Sequence, residues 1–217
     1  SFMAASATAF LMPFYLQRTL GYPASQAGLL LIPQPIMIAV IAPLSGWLSD
    51  RMGSRFLSSL GLAFICSGLL LSATLGANAS YGDVLWRLVI LGVGQGLFQS
   101  PNNSAIMGSV SRDKLGIASS MLATMRNMGM SVGVAIAAAV YAGRFAFHTT
   151  RLATNGATGE ALATNGFIAA FHDAMIVAAA ICSIGIVTSL VRGSQAAVEE
   201  EPRLQPAIPG VPSTVKD

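Results

Sequence analysis

Four side-chain carboxamides and a hydroxyl, Gln95, Gln99, Asn102, Asn103 and Ser104, interrupt an otherwise apolar run at about 84–107. At helical spacing Gln95, Gln99 and Asn102 share one face. Two readings stand: a mixed polar and apolar lining for a small molecule, or hydrogen bonds between helices that only hold a bundle together. Arg126 is the only base deep inside an apolar run. It lies about 16 Å past Leu115 at ~1.5 Å per helical residue. A charge at that depth must meet a carboxylate, carbonyls or water. It therefore forms either a gating or coupling ion pair or a fixed structural contact, with Asn127 helping to satisfy its surroundings. His172 and Asp173 open the last apolar run. They join a proton path, or they sit at a membrane interface with Asp173 complementing a helix N-terminus. No other carboxylate lies deep in an apolar run, so the main proton-carrying acid is not expected in this chain. No nucleophile lies beside a base, and no metal cluster is evident. Gly92, Gly94 and Gly96 follow no strand, so they read as close helix packing and not as a nucleotide loop. Neither an enzyme nor a cofactor is expected.

These groups need elements to position them, and composition says which. Of 217 residues, 53% are hydrophobic and only 10% are charged, against about 25% charged in an ordinary soluble domain. That is too little polar surface for a water-soluble fold, and a lipid-facing surface removes the need for it. Several apolar runs approach the ~20 residues that span a bilayer core. They are continuous, which favours helices over the short alternating strands of a barrel. Six spans are expected, at 2–17, 26–48, 56–75, 84–107, 115–141 and 167–191. Turn-rich segments separate them, the longest and most polar at 143–166. Pro33, Pro35 and Pro43 should bend the second span, and Pro101 the fourth. Gly129 and Gly133 read as packing, as do Cys66 and Cys182. Residues 1–192 are thus expected to form one all-α domain, a six-helix transmembrane bundle, and 193–217 a disordered cytoplasmic tail rich in Pro and Glu. The net charge of +3 is small and its bases are scattered, which argues for loop anchors in a lipid bilayer and against nucleic acid. No charged leader precedes the first run, so a signal peptide is not expected. The chain reads as starting inside a helix, like a piece of a longer protein.

The most specific segment is Gly46-Trp47-Leu48-Ser49-Asp50-Arg51-Met52-Gly53-Ser54-Arg55. Gly46 lets helices approach closely, Asp50 can face a helix N-terminus, and Gly53 permits a tight turn. Arg51 and Arg55 can anchor the loop at headgroups and pair with carboxylates. The segment resembles the G-x-L-x-D-R-x-G-x-R signature of the major facilitator superfamily, with Ser54 where the family often carries another base. Pro13 to Gln17, Gly21-Tyr22 and Ala27-Gly28 resemble the fourteen-helix drug:proton antiporter branch of that family. So do Gly116 to Ser120, Arg126 to Gly129 and Gly133 to Ala135.

The resemblance implies the C-terminal half of a transporter in a cell membrane, multi-pass, in a bacterial inner membrane. The missing N-terminal half, protons and a small-molecule substrate would be its partners. It implies that the first and fourth spans line a central cavity, with Tyr15, Gln17, Gln95, Gln99, Asn102 and Asn103 facing it. Gly46, Asp50, Arg51, Gly53 and Arg55 would form a cytoplasmic gate. The expected function is multidrug efflux by antiport: proton-coupled export of amphipathic, drug-like molecules. A nutrient or metabolite carrier and a non-transporting truncated subunit remain the alternatives.

Overall fold

Hydrocarbon offers no water to a backbone amide, so apolar runs must satisfy their own hydrogen bonds along the chain. The computed structural model describes residues 1–191, apart from the side chains of Asp50, Arg55 and residues 189–191. The tail expected over 193–217 lies outside the described residues. All regular structure among the described residues is helical. The order is α1 (Phe2–Arg18), α2 (Ala24–Leu31), α3 (Pro33–Met52), α4 (Ser54–Ser72), α5 (Tyr81–Gly108), a single 3-10 turn (Arg112–Lys114), α6 (Leu115–Thr154) and α7 (Gly159–Val191). Three stretches are long and apolar enough to cross a membrane, Ala24–Ser49, Arg112–Thr154 and Gly159–Thr188, and Phe56–Ser72 is a shorter apolar helix.

The helices differ from the six expected spans in two places. The second span is broken at Ile32. Pro33 has no N–H to give the Leu29 carbonyl, which takes the Ile32 N–H instead at 3.2 Å. The Ile36 N–H then bonds the Ile32 carbonyl at 3.2 Å and the helix resumes. The second difference is larger. The segment 143–166 is not a loop but the outer part of a helical hairpin, because α6 runs on to Thr154 and α7 starts at Gly159. Its threonines do not break the helix, since their hydroxyls turn back onto it: Thr149 bonds the Phe145 carbonyl at 2.7 Å and Thr150 the Ala146 carbonyl at 2.9 Å. Only 155–158 turn, with Gly156 inside at φ +86° and Gly159 just after at φ +65°. At ~1.5 Å per residue, α6 is about 60 Å long, twice a ~30 Å hydrocarbon core.

α5 packs between α3 and α4, α1 packs between α6 and α7, and α4 against α7 joins the two groups. Exchanging α1 with α5, the α2–α3 span with α6, and α4 with α7 maps this pattern onto itself. The helix contacts thus have an approximate internal symmetry, looser where α3 meets α4 than where α6 meets α7.

Small residues set the approach of α5. A Cβ on Gly92 would stand 2.6 Å from the Gln34 carbonyl oxygen of α3, and one on Gly96 2.8 Å from Ile41 Cβ. A Cβ on Gly94 would stand 2.7 Å from the Ile65 nitrogen of α4, and one on Gly61 2.6 Å from the Phe98 nitrogen of α5. Backbones in van der Waals contact are how helices associate where lipid is as apolar as leucine. Ser45 adds a cross-helix bond to the Gly96 carbonyl at 2.9 Å. The α4–α7 seam carries both cysteines as free thiols, Cys182 Sγ 3.5 Å from the Leu62 carbonyl and Cys66 Sγ 3.7 Å from that of Ala179.

At one end of the bundle three helices grip the turn between α4 and α5. Arg87 Nε donates to the Leu71 carbonyl at 2.8 Å, capping α4 with positive charge. The Tyr15 hydroxyl of α1 donates to the Gly76 carbonyl at 2.6 Å, and His172 Nε2 of α7 to that of Leu75 at 2.7 Å. Ser80 and Asp83 form a capping box that opens α5. Hydrogen bonds from the Ser80 hydroxyl and amide hold the Asp83 carboxyl below the usual carboxylate range.

Candidate functional site

The charged segment between the second and third spans turns on a single residue. α3 continues through Arg51 to Met52, and α4 starts at Ser54, so Gly53 alone makes the turn at φ +87°. Its N–H closes α3 on the Ser49 carbonyl at 2.9 Å. A side chain there would force an L-residue into the left-handed region. A Cβ on Gly46 would come within 2.9 Å of Ser100 Oγ, so this glycine sets the α3–α5 approach about two turns before Gly53. The Arg51 guanidinium lies 4.1 Å from the Trp47 ring centroid, a cation–π contact at the helix end. Asp50 closes α3 and Arg55 opens α4, and their side chains lie outside the described residues.

The carboxamides of α5 continue a buried stripe. Val84, Leu88 and Leu91 are fully buried, and Gln95, Gln99 and Asn102 follow at the same three- and four-residue steps, half-buried; Asn103 is half-buried beside them. Among the described residues none of these four side chains makes a hydrogen bond, and Gln95 Nε2 is buried without a partner. The bonds between helices that would make the row mere glue are not formed. An unmet buried polar group costs about 1–3 kcal/mol, and among the described side chains Gln95 Nε2 and Thr19 Oγ1 are such groups.

Tyr15 and Gln17 part company. Tyr15 is fully buried, its ring stacked on Phe171 at 5.0 Å and its hydroxyl spent on Gly76. It is a core residue, not part of an open lining, because its face of α1 is the one that packs on α7. Gln17 is exposed near the end of α1. Arg126 is half-buried and makes no ion pair among the described residues; its nearest aromatic neighbour is Phe2, with the ring centroid 6.0 Å from the guanidinium carbon. It shares a stripe with Gly129 and Gly133, which face α1 at Phe2, Met3 and Ser6.

Asp173 is not at a helix N-terminus. α7 begins at Gly159, so the carboxylate lies about 21 Å along it. It accepts from Arg144 Nε and lies 2.7 Å from His148 Nε2, both on α6. Assigning 143–166 to a loop hid this pair. The four-residue step from Arg144 to His148 was the available signal.

Residues 1–134 match the model of the Major Facilitator Superfamily. The chain belongs to that superfamily. The uncharacterized transporter YebQ of Escherichia coli is 41% identical over 138 residues, 64% of this chain and 30% of its own length. The riboflavin transporter RibZ of Clostridioides difficile is 30% identical over 184 residues, 85% of this chain and 38% of its own length. The multidrug resistance protein Stp of Mycobacterium tuberculosis is 31% identical over 128 residues, 59% of this chain and 24% of its own. The chain thus spans about a third of the curated relatives it matches. Among solved structures, a bacterial homologue of the human drug peptide transporters PepT1 and PepT2 matches with a TM-score of 0.61 at 20% identity, over 87% of this chain and 37% of that one, which supports the fold. Family and apolar helices together make this a membrane protein.

Proposed function

We propose that the chain is the C-terminal half of a proton-coupled exporter of amphipathic, drug-like molecules, working by alternating access in a bacterial inner membrane. The unpartnered row Gln95, Gln99, Asn102 and Asn103 carries the reading: polar groups left open inside a membrane bundle fit a site that meets a passing molecule. Their lack of charge fits an amphipathic substrate. Gly46, Asp50, Arg51, Gly53 and Arg55 act as the cytoplasmic gate, locked in one state of the cycle and released in the other. The N-terminal half covers the open rows of apolar side chains, Ile36, Val40 and Leu44 on α3 and Met121, Met125 and Met128 on α6, all exposed here. That half supplies the main proton-carrying acid.

The test is energised efflux of a lipophilic dye from cells lacking their own exporters, by the full-length transporter and its Asp50→Asn variant. Efflux that collapses with the proton gradient and with the substitution is the expected result. A well-inserted parent that moves no dye counts against export. The likeness to a riboflavin transporter over 85% of the chain favours a second reading, a carrier for a nutrient; saturable movement of a vitamin without dye efflux would select it.

A further inference from the structure

The hairpin of α6 and α7 rises past the level at which the other helices on that side turn. His172 bonds the α4–α5 turn, and Asp173 bonds Arg144 at the same height. Residues 145–154 of α6 and 159–171 of α7 therefore lie farther out, by about 15–20 Å at ~1.5 Å per residue. The base of this hairpin is aromatic. Tyr141 packs on Phe145 at 5.7 Å and on Phe167 at 5.3 Å, and Phe147 is half exposed beneath the Arg144 guanidinium at 5.1 Å. Tyr141, Phe145 and Phe167 lock the two helices together, and Phe147 is the exposed ring beside Arg144. Gly166 lets the two helices close, since a Cβ there would meet Thr149 Cγ2 at 2.6 Å.

Immediately outward is a cavity of about 320 Å³ lined by His148, Arg151, Leu152, Asn155, Asn165 and Ala169. Arg144, His148 and Arg151 form one stripe by their spacing. Asp173 occupies the first two. Arg151 is exposed and has no ion pair among the described residues, and the carboxamides of Asn155 and Asn165 are likewise free of hydrogen bonds there. An unpaired guanidinium with two carboxamide donors makes a forked site for a tetrahedral oxyanion. Leu152 and Ala169 give it an apolar wall. It lies one step outward of the level at which α4 and α5 turn, where the ends of the apolar helices would meet headgroups.

We infer that this groove holds the phosphate of an anionic phospholipid, with Arg151 as the charge and Asn155 and Asn165 as the flanking donors. The site is independent of what the transporter carries. Native mass spectrometry of the full-length transporter titrated with phosphatidylglycerol tests it. Arg151→Gln with Asn165→Ala should weaken binding about tenfold, as the loss of one charge-assisted bond implies, whereas Lys114→Gln in the turn before α6 should not. Both variants should keep the parent's elution profile and helical circular dichroism, because the substituted side chains are exposed. Equal lipid affinity in parent and double variant overturns the inference. So does inorganic phosphate displacing the lipid at equal concentration, which would assign the groove to a free anion.

Discussion

The two groups of helices, α3 and α4 around α5 and α1 packed on α6 and α7, are held by different cement. Around α5 the contacts are backbone on backbone: Gly92 and Gly96 against α3, Gly94 and Gly61 across to α4. Among α1, α6 and α7 they are mostly side chain on side chain: Tyr15 of α1 on Phe171 of α7, and between α6 and α7 Tyr141 on Phe167 and Asp173 with Arg144 and His148. Gly133 is the main exception, placed against Met3 and Ser6. Backbone contact leaves no side chain to interlock, so the α5 group keeps close approach while its unpartnered carboxamides and the one-residue Gly53 turn stay available. The α1 group is bolted by aromatic stacks and charge. Two parts of one bundle can thus be held by different means, one by close backbone approach and one by interlocking side chains.

The largest effect should come from breaking the glycine seam. Gly94→Val in the full-length transporter drives a branched side chain into the α4 backbone and should cost at least ~3 kcal/mol, the upper end of overpacking. Loss of folded, monodisperse protein is the expected readout, and Gly76→Ala, with nothing within 4 Å, is the silent control. Next, Asp173→Ala should cost about 1–3 kcal/mol of stability through lost pairing, read as a lowered melting temperature. Were His148→Ala to cost as much, the histidine and not Arg144 would be the main partner. A smaller loss, about 1–2 kcal/mol, should follow Gly53→Ala because of its positive φ.

The smallest effect sharpens the charged end of α5. The folded-state value of Asp83 is lowered, so its contribution is complete above the unfolded carboxylate pKa and disappears as pH falls through the folded one. Ser80→Ala should therefore cost stability at neutral pH and progressively less in acid. A penalty that is flat with pH would mean the capping box does not set that carboxyl.

Much of this was legible in the residues. The Asp-Arg segment carried the family, Gly53 announced its turn, and three alternate glycines in an apolar run announced close packing. The hairpin was not legible, because Arg144, His148, Thr149 and Arg151 look like a loop when apolarity is the signal. Helices leaving a membrane keep their period and lose their apolarity. The same misplacement put Asp173 near a helix start. Tyr15 was assigned to a cavity by its place on the first span, and only packing could show that its ring is spent on Phe171. The break at Ile32 was half visible: prolines predict a bend, but which carbonyl takes a new partner depends on the local turn.

On the proposed function, the carboxamide row of α5 serves the transported molecule and not the bundle. The most direct measurement is energised efflux by the full-length transporter carrying Gln95→Leu, read for several dyes beside its melting temperature. The predicted result is a changed dye preference with stability unchanged or raised, because an unmet buried amide is removed. An unchanged preference with a lowered melting temperature would contradict it and make the row structural.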